Sequence, residues 1–257
     1  MKKKISQIIN LKGKRPIVSL TSYSKSISNL ISKYCDLILV GDSVGTALYG
    51  MKNTKEITLE MIIQHAKSAK LGSKSSLCVV DMPYKTYRNR KEAKINALKI
   101  IKETKCDAVK IESNGKNFKI INHLVKSGIS VMGHIGFTPQ YKNKFKPQGV
   151  SEKEKIKLTN EALNIEKSGA FAIVLECIKT SLAKNISKKL KIPTIGIGSS
   201  KHCDGQILVT DDILGLSGFY PKFVKRYAKL DKIIEKSVEK YRNEVVQRIF
   251  PKNKNSY

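Results

Sequence analysis

Five short apolar runs in this chain each lead directly into a side chain able to bind a metal or move a proton. Leu37 to Val40 is followed by Gly41-Asp42-Ser43, and Leu77 to Val80 by Asp81-Met82-Pro83. Ala108-Val109-Lys110-Ile111 ends at Glu112, Ser130-Val131-Met132-Gly133 runs into His134, and Phe171 to Leu175 ends at Glu176. Asp42, Asp81 and Glu112 are hard oxygen donors of the kind that hold Mg²⁺ while leaving coordination positions for substrate and water. Any one of them alone would equally well be a helix N-cap or a surface acid. Three at equivalent places point to a metal site. Lys110 lies two residues before Glu112, so on a strand both side chains leave the same face. A lysine facing a barrel interior needs an anionic partner, either a neighbouring carboxylate or that of a substrate. Glu176 ends the most apolar run of the second half of the chain, where desolvation raises a carboxylate's pKa and makes it a better base near neutrality. His134 has two readings, a donor to substrate oxygen or metal-bound water and a structural histidine. Gly196-Ile197-Gly198-Ser199-Ser200 also has two, an anion-binding turn and a tightly packed strand end.

Residues this far apart in sequence share a site only if the elements bring them together. Eight runs rich in β-branched or aliphatic residues, at 16–20, 37–40, 77–80, 108–111, 129–132, 171–175, 193–197 and 206–209, alternate with stretches of helical periodicity. The helical stretches are 57–70, 90–104, 118–126, 152–168 and 181–190, with a further amphipathic helix at 231–248. Eight βα units in 257 residues predict one α/β domain, a (β/α)8 TIM barrel over 1–257 with a C-terminal amphipathic helix. In that architecture the C-terminal ends of all strands converge on one face, so the five polar positions would line one pocket. Gly72, Gly128 and Gly169 fall at helix ends, where a left-handed glycine closes the helix.

The formal net charge of +28 is the most unusual bulk property. It raises nucleic-acid binding as a competing reading. The charge is carried mainly by lysine spread through every segment, without the motifs of base readout, so a solvated basic surface that attracts anionic substrates is the better reading. The five cysteines are scattered singly, which suggests neither a zinc site nor a disulfide framework and fits a reducing compartment. Cys177 is the best placed of them for a nucleophile, with a small buried hydrophobe as the plainer reading. Met1 to Lys14 is basic but lacks the apolar core of a secretory signal, and no apolar stretch is long enough to span a bilayer, so a cytoplasmic protein is expected.

A set of motifs then appears in order along the chain. They include VGDSVG at 40–45, ITLEMI at 57–62, DMPY at 81–84, VKIE at 109–112 and GHIGFTPQ at 133–140. VLEC at 174–177, IGIG at 195–198, CDGQILV at 203–209 and PKFVKRYA at 221–228 complete it. Together these resemble the ketopantoate hydroxymethyltransferase family across nearly the whole chain. The resemblance implies a barrel assembled as a homodecamer. It also implies transfer of a hydroxymethyl group from 5,10-methylenetetrahydrofolate to 3-methyl-2-oxobutanoate, giving 2-dehydropantoate for pantothenate and coenzyme A synthesis. Carried over by motif, Asp42 and Asp81 bind Mg²⁺ with Glu112 in the same metal site. Ser43 and Lys110 contact the oxo acid, and Glu176 is the proton acceptor that forms a Mg-stabilised enolate. A place for His134 near the substrate is added from its position alone. The chain departs from the pattern at Ser24, where an acid is common, at Ser199-Ser200, and in the lysine-rich loop 141–150, where glycines are usual. These departures bear on the folate side and on loop closure. A lyase related to phosphoenolpyruvate and isocitrate enzymes is the competing enzymatic reading.

Overall fold

A computed structural model describes residues 4–143, 145–218 and 220–257, so the first three residues of the basic leader and Lys144 of the lysine-rich loop lie outside the described residues. Two compact units divide the chain, Met1–Val209 and Thr210–Tyr257.

The first unit holds a closed barrel of eight parallel strands in sequence order. They are β1 (Ile17–Thr21), β2 (Leu37–Val40), β3 (Leu77–Asp81), β4 (Ala108–Glu112), β5 (Val131–Gly136), β6 (Ala172–Glu176), β7 (Thr194–Ile197) and β8 (Gly205–Leu208). The helices of this unit are α1 (Ile5–Ile9), α2 (Lys25–Ile31), α3 (Val44–Ala47), α4 (Leu59–Gly72), α5 (Arg90–Thr104), α6 (Phe118–Lys126), α7 (Glu152–Lys167) and α8 (Thr180–Lys189). The eight-run reading is therefore the observed barrel, and α5 and α6 have the residues that periodicity assigns them. Side-chain oxygens of Ser24, Thr58, Asn89 and Ser151 accept from the third backbone N–H beyond and start α2, α4, α5 and α7. Ser24 thus caps α2.

Strand alternation separates two apolar clusters. Outward residues such as Val40, Val80, Val109, Ile111, Val131 and Ile173 pack beneath the helices. Inward residues near the strand starts, among them Ile17, Leu37, Leu77, Ala108 and Met132, fill the barrel together with Ile8 of α1. The leader is thus a short helix that closes the N-terminal end of the barrel. It is pinned there by Lys12 Nζ, 2.6 Å from Asp204 Oδ2, and by a paired contact of Arg15 with both oxygens of Asp36 at 2.6 and 2.7 Å. The same inward parity carries on to Asp81, Lys110, Glu112, His134 and Glu176 at the opposite end.

Two sequence expectations change. The fifth strand starts two residues later and runs four residues further than its apolar run, so His134 lies within β5 and not beyond it. Gly133 makes this possible, because a Cβ there would stand 2.5 Å from Ile165 Cγ2 of α7. Gly128 and Gly169 take positive φ after α6 and α7 as expected, but Gly72 does not. Its role is close approach: an added Cβ would lie 2.3 Å from Lys25 O and 2.7 Å from Asn29 N, where α2 meets α4. Replacing Gly72 by Ala is expected to destabilise the protein by about 3 kcal/mol or more, because backbone atoms must move. Urea unfolding checks this, and a loss under about 1 kcal/mol would show that α2 shifts freely.

The second unit contains α9 (Thr210–Leu214) and α10 (Leu230–Val246). Tyr227 N and Ala228 N both donate to Ile213 O, closing the intervening loop. No residue of α10 is buried, and its apolar positions, including Ile234, Val238 and Tyr241, are exposed. Among the described residues no helix is long and apolar enough to cross a membrane.

Candidate active site

The inward side chains at the C-terminal ends of β3 to β6, with Asp42 just after β2, form one buried polar cluster. In register, Asp81 is beside Lys110, Glu112 beside His134, and Gly136 beside Glu176. Lys110 Nζ lies 2.7 Å from Asp81 Oδ1, and the other Asp81 oxygen accepts from Asp42 N at 3.1 Å. Lys110 thus faces inward as strand parity predicts, with a neighbouring carboxylate, one of the two expected kinds of partner, beside it. His134 Nδ1 is 3.5 Å from Glu112 Oε1 and its Nε2 is 3.2 Å from Glu176 Oε2. Neither contact has good hydrogen-bond geometry, so both buried ring nitrogens lack a well-directed partner. Ser43 starts α3, and its Oγ is 2.8 Å from Tyr23 OH. All seven sequence-predicted site residues therefore fall at the barrel's C-terminal end.

The electrostatics follow from crowding carboxylates in a dry place. Burial raises the pKa of Asp42 well above the ordinary range, and repulsion from Asp81 and Glu112 adds to it. Glu112 is pushed up to about 8, chiefly by burial, with the Lys110 charge opposing. Burial alone would lower Lys110, but Asp81, Glu112 and Asp42 together hold it above the usual lysine value, so it stays a cation. Glu176 is raised by burial and partly brought back by His134. Burial and the Lys110 charge lower His134, favouring its neutral form. Four carboxylates thus share one fixed cation.

That imbalance tests whether a divalent cation fits. The donors are carboxylate oxygens, the surplus charge is negative, and burial raises Asp42 and Glu112 toward protonation, all of which a hard dication would relieve. No preformed cage of three or more such ligands is present among the described residues. A cation held here therefore needs substrate or water oxygens to complete its shell, which suits an open catalytic site better than a closed structural one.

Gln140 is the functional residue that sequence reasoning missed. Its Nε2 donates to Asp42 Oδ2 at 2.8 Å and Met82 O at 3.0 Å, its backbone N donates to Glu112 Oε2 at 3.0 Å, and its Oε1 accepts from Tyr87 OH. One residue thereby orients two carboxylates, Asp42 through its side-chain amide and Glu112 through its backbone N–H. The only signal available was its place at the end of the GHIGFTPQ run, which carries no chemistry in itself. Gln140→Ala leaves Asp42, Tyr87 and Met82 each short of a partner, and Mg²⁺ affinity is expected to fall roughly 10- to 100-fold. Calorimetric titration of Mg²⁺ reads this directly, and unchanged affinity would show that the amide is dispensable.

The remaining sequence candidates prove structural. Cys177 takes a left-handed conformation at φ 53° immediately after Glu176, and burial beside that carboxylate pushes its thiol up to about 12. It is a thiol at neutral pH, unsuited to attack. Cys106, Cys177 and Cys203 carry free thiols. Gly196 packs tightly, with a Cβ position 3.1 Å from Cys203 Sγ, which supports the packing reading of the glycine-rich turn. Ser199 Oγ donates to Ile178 O at 3.0 Å, and Ser200 Oγ accepts from His202 N at 3.2 Å, so both serines tie down the turn after β7.

The sequence model of the ketopantoate hydroxymethyltransferase family matches residues 2–253. The chain belongs to that family. A 3-methyl-2-oxobutanoate hydroxymethyltransferase of Pelagibacter ubique (strain HTCC1062) is 50% identical over 257 residues, covering all of both chains. The enzyme of the same name from Bartonella tribocorum is 45% identical, with 98% of this chain and 94% of the relative covered. Among solved structures, a phosphonopyruvate hydrolase in complex with oxalate and Mg²⁺ superposes with a TM-score of 0.66 at 10% identity, covering 98% of this chain and 93% of the other. A 2,3-dimethylmalate lyase of the PEP mutase/isocitrate lyase superfamily gives 0.62 at 11% identity, covering 98% and 87%. These two likenesses show a shared barrel fold. Membership of the ketopantoate hydroxymethyltransferase family rests on the sequence matches.

Proposed function

We infer that this protein transfers a hydroxymethyl group from 5,10-methylenetetrahydrofolate to 3-methyl-2-oxobutanoate, yielding 2-dehydropantoate and tetrahydrofolate in pantothenate and coenzyme A biosynthesis. The observation that carries this reading is full-length identity of 50% to a relative named for that activity. The buried acid cluster at the barrel mouth has the chemistry the reaction needs.

Asp42 and Asp81 would hold Mg²⁺, with Glu112 in the same site. When bound, the cation would supply Lewis acidity toward the 2-oxo acid. Lys110 provides a fixed positive charge beside the substrate carboxylate. Ser43, held by Tyr23, offers a hydroxyl to the same substrate. Glu176 takes the proton from C3 of the oxo acid, and its burial keeps it basic enough to do so near neutral pH. Neutral His134, between Glu112 and Glu176, has one N–H, which serves either the base Glu176, 3.2 Å from its Nε2, or a substrate oxygen. The resulting enolate carbon forms the new C–C bond with the one-carbon unit. Water supplies the hydroxyl oxygen, and the folate nitrogens depart as tetrahydrofolate. The reading extends to a cytoplasmic protein with no specific nucleic-acid partner, assembled as the homodecamer that the family resemblance implies.

The experiment is a product assay by proton NMR. 2-Dehydropantoate is expected only when oxo acid, methylenetetrahydrofolate and Mg²⁺ are all present. Cleavage of the oxo acid without folate would favour the lyase reading.

A further inference from the structure

Ser43, which meets the oxo acid in the reading above, is held by a tyrosine that is itself held from outside the barrel. Tyr23 lies just beyond the end of β1, is buried in one cluster with Val40, Val44 and Ile62, and has its OH 2.8 Å from Ser43 Oγ. Its backbone carbonyl oxygen is 2.9 Å from Nδ1 of His65, a half-buried residue of α4. His65 Nε2 is 2.9 Å from the OH of Tyr49, in the stretch that follows α3. Further along α4, Ser68 Oγ accepts from Lys25 N at 3.0 Å. Two side chains of one helix thereby fix the turn from β1 into α2, which is the turn that carries Tyr23. These contacts also settle the tautomer of the ring. A carbonyl oxygen only accepts, so Nδ1 carries the hydrogen, and in the neutral ring Nε2 accepts from the Tyr49 hydroxyl.

We propose that His65 is a positioning residue for substrate binding: its Nδ1–H holds the Tyr23 carbonyl, and Tyr23 in turn holds the Ser43 hydroxyl toward the oxo acid. The inference rests on the functional reading above, which gives Ser43 a hydrogen bond to the substrate. With the Ser43 hydrogen directed to a substrate oxygen, Ser43 Oγ still accepts, and the Tyr23 phenol is the donor that serves it. A hydroxyl without that donor rotates to other partners, so the Tyr23 bond orients it before the substrate arrives. The acids and Lys110 are oriented by separate contacts, with Gln140 on Asp42, Lys110 on Asp81 and His134 beside Glu176. Loss of the hold from His65 should therefore weaken oxo-acid binding and leave metal binding and proton removal in place.

The test uses wild type and three variants at position 65. It measures calorimetric binding of Mg²⁺, binding of 3-methyl-2-oxobutanoate to the Mg²⁺-loaded protein, deuterium exchange at C3 under saturating oxo acid and Mg²⁺, and urea midpoints. His65→Ala is expected to weaken oxo-acid binding roughly tenfold, with Mg²⁺ affinity and the saturated exchange rate within about twofold of wild type. An asparagine amide nitrogen stands near the position of Nδ1, and a glutamine amide near that of Nε2. His65→Asn should therefore restore most of the oxo-acid affinity through the Tyr23 carbonyl. His65→Gln, which reaches only Tyr49, should bind as weakly as the alanine variant. A role in packing alone would lower the urea midpoints without separating asparagine from glutamine in oxo-acid affinity, and that result would overturn the proposal. Unchanged binding in His65→Ala, or recovery with glutamine and not with asparagine, would overturn it too, while leaving the activity intact. Wild type that neither bound the oxo acid nor formed product would instead overturn the functional reading, and this inference with it.

Discussion

Replacing Glu176 by Gln is expected to cut deuterium exchange at C3 of 3-methyl-2-oxobutanoate by roughly 10³-fold, in line with the loss of a positioned general base. The amide is nearly isosteric, and His134 Nε2, 3.2 Å from Glu176 Oε2, keeps a polar neighbour, so the fold should survive. The wild-type exchange rate should also report this group through pH. Glu176 acts deprotonated, and burial raises its pKa, so exchange should fall on the acid side at a pH above the ordinary glutamate value. In the Gln variant that limb disappears from whatever rate remains. Exchange measured without folate isolates this step from one-carbon transfer. A variant that exchanged at the wild-type rate, with normal circular dichroism, would remove Glu176 from the role of base.

The second large effect concerns stability without a divalent cation. Glu112 rises from 4.5 in its ordinary state to about 8 in the fold, and Asp42 moves in the same direction, both chiefly through burial. A carboxylate whose folded pKa is raised binds its proton more tightly when folded. Its favourable contribution is complete below the unfolded value and is lost as pH climbs through the folded one. In EDTA, stability is therefore expected to decline between pH 4.5 and about 8 by a few kcal/mol, since both acids must ionise in a buried place where Lys110 offsets only part of the charge. Millimolar Mg²⁺ should restore most of this at the upper end and little at the lower, because the cation binds the ionised acids. Urea midpoints at the two ends of this window, with Mg²⁺ and with EDTA, check the sign. A metal-free protein that grew more stable across the window would contradict the assignment of Asp42 and Glu112 as surplus buried charges.

Much of this chemistry was legible before any coordinates. Period-two alternation placed Lys110 and Glu112 on one side of their strand, and the recurrence of polar groups at five run ends identified the face of the barrel that Asp42, Asp81, Glu112, His134 and Glu176 share. His134 was placed correctly at that face but outside its strand. An apolar run marks where a strand is buried on both sides, and β5 continues through Gly133, His134 and Gly136, which carry no such signal. Gly72 shows the complementary failure. Its position at a helix end suggested a left-handed cap, whereas the requirement comes from Lys25 and Asn29 on another helix.

The sequence by itself determined the family, the barrel, and the types of groups at the strand ends, because these depend on local periodicity and on motifs that lie contiguous along the chain. Tertiary structure alone decided which groups touch. That Gln140 bridges Asp42 and Glu112, that His134 stands between two acids, and that Lys55 reaches Tyr84 and Asn143 are contacts between residues 22 or more apart in the chain. Their pKa shifts are likewise properties of the closed barrel, where burial removes water and leaves four carboxylates to one lysine. No spacing along the chain encodes that balance, since desolvation and Coulomb energy depend on distances through space.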